Sequence, residues 1–354
     1  MTGTGDTTPR TALPYCSQPV RPEIPLSPDL SFERQRAILL NRTKWVNGTV
    51  LHYFFFADGD WSADRRQSDR VRQAFGTWKE LGIGLEFKEV DSASEAEIRI
   101  GFAQDDGSWS YVGRDVLDIG IQERTMNFGW DLTDEYGMAT ALHEIGHTLG
   151  FAHEHQNPFA GIVWDEEAVY RYLGGPPNNW PRQTTFHNVL RKLSPQEVSG
   201  STWDPDSIME YGFPADLILQ PEEYRAGIRP SLRLSALDRE YVLRWYPPLE
   251  DDKARQLSPF QSAPLSLRSG EQENFEIRPE ETRRYRLGAF GDSDTVLVVF
   301  EDVDGELRYL AGDDDSGQDR NSTLEFNLRK GHRYVARIRL YSAWSSGNTA
   351  IMLW

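Results

Sequence analysis

The sequence predicts an α+β domain over residues 41–248, followed by an all-β sandwich domain over residues 266–354. Strand-like and helix-like segments alternate through the first region, which is the pattern of an α+β domain. Beyond Pro247-Pro248 the pattern changes to short alternating segments separated by turn residues, which is typical of a β-sandwich. A chain of 354 residues is long enough to bury two hydrophobic cores.

An extended arm is predicted ahead of the first domain, over residues 1–40. Six prolines between Pro9 and Pro28 disfavour a helix and keep the backbone extended. The arm contains the one cysteine of the chain, Cys16, so no intramolecular disulfide is expected. The first residues lack a basic segment followed by an apolar one, so no secretory signal is expected there. The arm could instead be a pro-segment.

Composition and charge exclude several classes of partner. The formal net charge of −17 disfavours nucleic acid and anionic membranes, because both are bound through clustered lysine and arginine. No stretch of 18 or more apolar residues is present, so no membrane span is expected.

The first domain begins with strands and a helix. Residues 49–56 are β-branched and aromatic, as in a buried strand. A helix is predicted over residues 68–81, where one apolar stripe contains Val71, Phe75, Trp78 and Leu81. Further strands are predicted at 85–90, 96–102 and 124–130. We expect the strand at 124–130 to lie at the sheet edge, where an extended peptide could bind by strand addition.

A helix predicted over residues 135–149 carries the motif that organises the domain. His143 and His147 are four residues apart, so they lie on one helix face and can direct both imidazoles at one ion. Gly150 can adopt a positive φ and turn the chain so that His153 becomes a third ligand. Glu144 is close enough to act on a metal-bound water as general base.

This motif predicts a catalytic zinc site. Three protein nitrogens leave one position of a tetrahedral zinc ion open, unlike a closed structural site. A single buried histidine is usually an ordinary core residue. However, the motif fixes five positions at once, and its chance occurrence in such a chain is on the order of one in 10⁵.

The rest of the chain contains three more predicted helices, a linker and seven strands. The helices are predicted at 166–172, 183–193 and 234–245. Residues 249–265 form the predicted linker. The strands are predicted at 274–277, 282–287, 295–301, 307–310, 323–328, 333–341 and 349–354. Asp304-Gly305 predicts a tight hairpin between two of them.

Two further stretches give the first domain a resemblance to the astacin family of zinc endopeptidases, within the metzincin clan. Glu154 directly follows the third histidine, and Ser207-Ile208-Met209-Glu210-Tyr211 resembles the Met-turn of that family. The resemblance covers roughly residues 41–248. It implies a metzincin catalytic domain, with a twisted mixed sheet and a zinc-binding helix.

The resemblance also implies roles for particular residues. Met209 would form an apolar floor beneath the three imidazoles, and Tyr211 would be a movable fifth zinc ligand that stabilises the oxyanion. Gly150 and Glu154 would support the site, since the family ties this glutamate to the amino terminus of the mature enzyme. We expect Glu210 to lie in solvent or at the rim.

The sequence departs from the family in two respects. Astacin domains usually contain disulfides, which this chain cannot form internally, and His155-Gln156-Asn157-Pro158-Phe159-Ala160 replaces the usual run after the zinc motif. The C-terminal region resembles the β-sandwich modules of secreted bacterial peptidases. This likeness favours secretion and a matrix or carbohydrate surface as a second partner, although the compartment stays open.

The function predicted from these residues is zinc-dependent hydrolysis of peptide bonds in a protein or peptide substrate, with Glu144 as general base. The alternative is a binding or adhesion protein that retains a metzincin scaffold with little turnover. A base beside an open zinc position argues against that alternative, because a scaffold that only binds does not need one.

Two candidate sites each have a simpler interpretation. The Cys16 thiol could occupy the fourth zinc position as an inhibitory switch, as in related zymogens. Its neighbours, Tyr15 and Ser17, do not match the usual switch sequence and favour an incidental thiol. Asp313 and Asp315 could bind Ca²⁺, but an acidic turn is the commoner explanation for such residues.

Overall fold

The computed structural model describes most of the chain. The described residues are 13–21, 43–45, 47–62, 64–195, 197–198, 202–248, 254–314, 316–317, 321–342 and 345–354. Most of the predicted arm, Asp315 and parts of the predicted linker therefore lie outside the described residues. Among the described residues, no helix combines the length and apolar character needed to cross a bilayer.

A five-stranded mixed sheet forms the first part of the fold. Its strands are β1 (Val50–Phe55), β2 (Glu86–Glu89), β3 (Ile98–Gly101), β4 (Trp109–Ser110) and β5 (Met126–Asn127), in the order β2-β1-β3-β5-β4. Strand β4 pairs antiparallel with β5, whereas the other pairs are parallel. The strand predicted at 124–130 is thus the short strand β5, which lies inside the sheet and not at its edge. The edge on this side of the sheet is β4, which is too short for an alternating pattern to be recognised in the sequence.

Two helices cover this sheet. Helix α1 (Arg65–Lys79) begins at Asp64, whose side chain accepts a hydrogen bond from the Gln67 amide. It buries Val71, Phe75 and Trp78, as its apolar stripe predicts. Helix α2 (Glu135–Thr148) is the predicted metal helix, and the Trp78 indole donates to the Leu142 carbonyl across the two helices. The core between sheet and helices therefore holds α2 in place.

Shorter elements complete the first domain. They are β6 (Val163–Trp164), α3 (Glu166–Leu173), α4 (Arg182–Thr185), a π-helical turn (Phe186–Leu190), β7 (Ile218–Gln220) and α5 (Ala236–Trp245). Strands β6 and β7 form a small antiparallel pair. Ser235 and Asp238 form a capping box that starts α5. A second buried cluster around Val169, Leu173 and Ile218 supports this half of the domain.

The C-terminal region is rich in strands. They are β8 (Arg255–Gln256), β9 (Ser262–Leu267), β10 (Gln272–Ile277), β11 (Arg283–Phe290), β12 (Thr295–Val303), β13 (Glu306–Asp313), β14 (Thr323–Leu328), β15 (Arg333–Leu340) and β16 (Gly347–Leu353). One sheet has the order β13-β12-β15-β10-β8 and the other β14-β11-β16-β9, and both contribute to one buried cluster. Asp304 and Gly305 both adopt positive φ in the β12–β13 hairpin, as predicted.

One feature of this region differs from the expectations. Strand β8 and most of β9 lie within the segment predicted as a linker. Strand β8 has only two residues, and Pro264 lowers the strand propensity of β9, so neither strand has a clear signal in the sequence.

Charged side chains join the two regions. The imidazole of His52 on β1 lies between two carboxylates, with Nδ1 3.3 Å from Glu97 and Nε2 2.8 Å from Glu306 on β13. Lys88 on β2 also pairs with Glu306. The His52 side chain is only 15% exposed and that of Glu306 19%, so solvent screens these contacts less than most surface ion pairs.

We predict that replacing His52 with glutamine lowers the free energy of unfolding more at about pH 5.5 than at about pH 8.5. The hydrogen bond to Glu97, with a further contribution from Glu306, raises the pKa of His52 in the folded protein. The stabilisation is therefore complete below the unfolded pKa of about 6.5 and is lost as the pH rises through the higher folded pKa.

Urea unfolding at both pH values measures this difference. A suitable control is His332→Gln, because His332 pairs with Glu301 but has a side chain that is 43% exposed. A loss of stability in His52→Gln that is the same at both pH values would contradict the ionic role of His52.

Candidate active site

The end of helix α2 brings three histidines together. The chain leaves the helix at Gly150, which has φ +97°, and the Phe151 and Gly150 amides donate to the carbonyls of Gly146 and His147. These two bonds define a Schellman motif, which requires a residue such as glycine in the left-handed region. The turn directs His153 back towards the helix, as the sequence predicts.

The imidazoles converge closely. The ring centroids of His143 and His147 are 4.7 Å apart, and the ring of His153 lies 4.7 Å from His147 and 5.4 Å from His143. One nitrogen from each ring and the Cys16 sulfur all lie within 4.8 Å of one another. Among the described residues, this is the one group of histidine, cysteine and acidic side chains with such spacing.

Backbone carbonyls orient two of the rings. Nδ1 of His143 lies 2.7 Å from the Ile208 carbonyl, and Nδ1 of His147 lies 2.8 Å from the Phe151 carbonyl. A carbonyl accepts only, so each Nδ1 carries the proton and each Nε2 keeps its lone pair for a ligand. Nε2 of His143 is buried without a hydrogen-bond partner, which is the condition expected of a metal-binding atom.

Burial keeps the rings neutral. It lowers the pKa of His143 to about 4 and the pKa values of His147 and His153 well below the usual range, and the neighbouring imidazoles add to the effect. Neutral imidazole is the form that binds a metal. Three such nitrogens, together with a thiol, form a donor set that fits zinc.

Glu144 lies beside this cluster. Its side chain is fully buried, with Oε1 lacking a hydrogen-bond partner and Oε2 3.5 Å from the Cys16 sulfur. Burial raises the pKa of Glu144 to about 8. A neighbouring cation would lower that pKa, because opposite charge favours the carboxylate. The residue can therefore exchange a proton near neutral pH.

Met209 lies against the metal helix and is joined to Glu154 by a backbone hydrogen bond. A Cβ atom at Gly146 would lie 2.4 Å from the Met209 sulfur, so the methionine packs directly against the metal helix and Gly146 must lack a side chain. The Glu154 amide donates to the Met209 carbonyl. The Glu154 carboxyl accepts from the Asp204 amide at 3.0 Å and from the Asn157 side chain at 3.2 Å.

Tyr211 reaches the cluster through its hydroxyl. This oxygen lies 2.9 Å from Nε2 of His153 and donates to the Cys16 carbonyl at 2.6 Å. Tyr211 is thus placed to contact both a ligand and a carbonyl group in the cleft. The phenol is buried, and burial raises its pKa well above the usual range, so it is a proton donor here.

Glu210 is not a rim residue, which corrects the expectation. It is 4% exposed, accepts from the Trp203 indole at 2.8 Å, and lies 3.4 Å from Nδ1 of His155. His155 in turn lies 2.8 Å from the Asn188 carbonyl. The sequence contains no motif that predicts this buried network; it shows only that polar and aromatic residues are near one another in the chain.

The arm enters the site. The Cys16 sulfur lies 3.6 Å from Nε2 of His147, and the Ser17 amide donates to the Ser108 carbonyl just ahead of β4. Burial raises the pKa of the thiol, so a thiolate at this position needs a cation beside it. The Cys16 sulfur is thus the fourth atom of the cluster that it forms with the three imidazoles.

The predicted calcium ligands receive no support. Asp313 accepts from the amides of Ser316 and Thr323 at 3.0 and 2.8 Å. Both bonds use the same carboxylate oxygen to order a turn, which matches the simpler interpretation. Asp315 lies outside the described residues.

Comparisons of this chain with known proteins agree on one family. Residues 38–216 match the family model described as Astacin (Peptidase family M12A), which is half of the chain. Bone morphogenetic protein 1 of Xenopus laevis is 35% identical over 215 residues, which are 57% of this chain and 27% of that protein. The bone morphogenetic protein 1 homolog of Strongylocentrotus purpuratus is 30% identical over 202 residues, 53% of this chain and 28% of that protein. The chain thus spans just over a quarter of the length of these relatives.

One solved structure is similar in both sequence and fold. The structure of myroilysin is 32% identical and superposes with a TM-score of 0.53, covering 59% of this chain and 98% of that chain.

We predict that the chain binds about one zinc ion and that His153→Ala weakens the binding by more than about 100-fold, since even the partners of metal ligands contribute 10- to 100-fold. Zinc content by emission spectrometry, after dialysis against a graded series of chelators, measures this. His187→Ala provides the control, because His187 is half-buried and lies outside the cluster. Equal zinc retention by the two variants would exclude His153 as a ligand.

Proposed function

The chain belongs to the astacin family of zinc metalloendopeptidases, peptidase family M12A, and on this premise we propose that it hydrolyses internal peptide bonds of protein or peptide substrates. The observation that carries the proposal is the convergence of three neutral imidazoles beside a buried carboxyl group with an unpartnered oxygen. These groups supply the ligands and the base that metal-assisted hydrolysis needs.

His143, His147 and His153 would hold the ion. When bound, zinc is a Lewis acid that polarises the scissile carbonyl and lowers the pKa of the attacking water. The hydrogen bonds from His143 to Ile208 and from His147 to Phe151 fix the orientation of two ligands. Met209 supports them from below, since its sulfur packs at Gly146 between the two histidines.

Glu144 is the general base in this proposal. Its carboxylate accepts a proton from the attacking water and then delivers that proton to the leaving amine. The Tyr211 hydroxyl, which donates to a peptide carbonyl in this structure, donates to the oxyanion of the substrate. Glu154 and Gly150 have supporting roles, because both fix the chain on either side of His153.

The alternative of a low-turnover binding protein is not favoured. Burying a carboxyl oxygen without a hydrogen-bond partner, as with Oε1 of Glu144, is unfavourable by about 1–3 kcal/mol, and a protein that only binds gains nothing from it. Such an unpartnered group is expected where it takes part in chemistry.

The arm is proposed to inhibit the enzyme through Cys16. Its sulfur lies with the three ligand nitrogens and would complete a tetrahedral set, leaving no place for water. The arm backbone also contacts the chain just ahead of the edge strand β4, where the Ser17 amide donates to the Ser108 carbonyl. Removal or displacement of the arm would then activate the enzyme.

We propose that the C-terminal region is a β-sandwich domain that follows the catalytic domain and includes β8 and β9. Its two sheets share one buried cluster, which is the arrangement of a sandwich. By its likeness to modules of other peptidases, this domain would bind a matrix or carbohydrate surface and hold the catalytic domain near its substrate.

We predict that Glu144→Ala retains zinc but lowers the rate of peptide hydrolysis by at least about 100-fold, the usual contribution of a general base. Hydrolysis of casein and of quenched fluorescent peptides, together with zinc content, measures both parts. Glu135→Gln on the same helix is the control, because Glu135 is exposed and pairs only loosely with Arg233. Hydrolysis by Glu144→Ala at the parental rate would disprove the assignment of the base.

We also predict that Cys16→Ser raises the activity of the intact chain, since serine is a much poorer zinc ligand than a thiolate. The measurement compares initial rates at equal protein concentration, with intact mass confirmed before and after the assay. Ser17→Ala is the matched control, because Ser17 contacts the sheet edge through its backbone. Unchanged activity in Cys16→Ser would remove the inhibitory role.

A further inference from the structure

The side chain next to Cys16 fills a pocket with aromatic walls. The Tyr15 ring is 4% exposed and lies against four other rings, at centroid distances of 5.0 Å from Tyr211, 5.9 Å from Phe213, 6.3 Å from Tyr172 and 6.5 Å from Trp180. We call these four residues the aromatic pocket. Their offset and edge-on arrangements are those that favour binding of another aromatic ring.

The aromatic pocket is polar where it surrounds the Tyr15 hydroxyl. The Tyr15 hydroxyl donates to the Gly212 carbonyl at 2.5 Å and lies 3.4 Å from the Tyr172 hydroxyl. A phenol fits this end better than a phenyl ring, because the phenyl ring would leave the Gly212 carbonyl without that donor. The pocket therefore recognises both the ring and the hydroxyl.

The arm backbone is held as any extended peptide would be held. The Tyr15 amide donates to the Asn178 side chain and the Gln18 amide to the Asn188 side chain, both at 2.8 Å. The Tyr136 hydroxyl donates to the Pro14 carbonyl, and the Tyr211 hydroxyl to the Cys16 carbonyl. These contacts involve only peptide groups of the arm, so they do not depend on its side chains.

The Cys16 peptide occupies the reacting position. Its carbonyl accepts from Tyr211, the residue assigned to the oxyanion, and its sulfur lies among the zinc-binding nitrogens. A substrate whose scissile carbonyl takes this place has the side chain of the preceding residue, the second before the scissile bond, at the aromatic pocket. Phe213 also packs against residues outside the arm, since it belongs to the same buried cluster as Val169 and Leu173.

We infer that the aromatic pocket is a specificity subsite, which takes an aromatic side chain of the substrate, tyrosine before phenylalanine, at the second residue before the scissile bond. This inference rests on the proposed peptidase function. Tyr15 occupies the subsite in the intact chain, and the arm thereby imitates the substrate class that the enzyme cleaves.

The test uses the full chain with Tyr15→Ala and Cys16→Ser combined, which vacates the aromatic pocket and removes the thiol. Quenched peptides carry tyrosine, phenylalanine, leucine or alanine at each position around the cleaved bond. We expect kcat/KM to be about 10- to 100-fold higher for tyrosine than for alanine at the second residue before that bond, with phenylalanine in between.

Adding Trp180→Ala removes one wall of the aromatic pocket and should erase most of the preference for tyrosine over alanine. Tyr309→Ala is the control, because Tyr309 is 58% exposed on the C-terminal sheet and lies outside the aromatic pocket. Cleavage without any aromatic preference, or a preference that survives Trp180→Ala, would overturn the inference and leave the proposed function intact.

If no peptide is cleaved, a binding measurement tests the subsite independently of the peptidase function. Acetylated peptides with the sequence of residues 13–18, with serine in place of Cys16, are titrated into the same double variant and monitored by calorimetry. We expect the peptide with tyrosine to bind at least about tenfold more tightly than the peptide with alanine at that position. Absence of cleavage would then disprove the peptidase function, whereas equal affinity of the two peptides would disprove the subsite.

Discussion

The turn at Gly150 is the constraint on which the site depends. Two ligands come from one face of helix α2, but the third must return from a chain that would otherwise continue along the helix axis. Gly150 ends the helix because its positive φ turns the chain away from the helix axis. The hydrogen bonds from the Gly150 and Phe151 amides to helix carbonyls then fix the direction of the following residues. A residue with a Cβ at this position would be strained, and His153 would lose its direction. The metal site is thus a consequence of helix termination.

Burial gives the site its electrostatic character. The three imidazoles, the Glu144 carboxyl and the Tyr211 phenol all lie below 8% exposure, and burial shifts each pKa towards the neutral form. A cluster of neutral imidazoles binds a divalent cation readily, because the cation gains ligands without having to displace protons from histidine. The cation in turn favours the charged form of Glu144, so ion and base support each other.

The features that could be predicted from the sequence are those that depend on residues close together in the chain. The spacing of His143, His147 and Gly150 decides helix face and helix end locally, so the metal site could be derived without knowing the fold. The edge strand β4 could not be derived, because two residues carry no periodicity and their place comes from pairing with β5. The same holds for Glu210, whose burial depends on Trp203 and His155 rather than on its own neighbours in sequence.

The position of the arm depends on contacts that sequence patterns do not reveal. Cys16 lies 128 residues before Glu144 in the chain, yet its sulfur lies beside that carboxyl group. The peptide-group contacts on either side of Cys16 are each weak, but the arm and the cleft belong to one chain, so the arm competes at a high effective concentration. A free substrate must therefore gain more from its side chains than the arm does. A pocket that favours a particular side chain near the reacting carbonyl would supply such a gain, and this would link the proposed inhibition by the arm to the proposed selectivity of the enzyme.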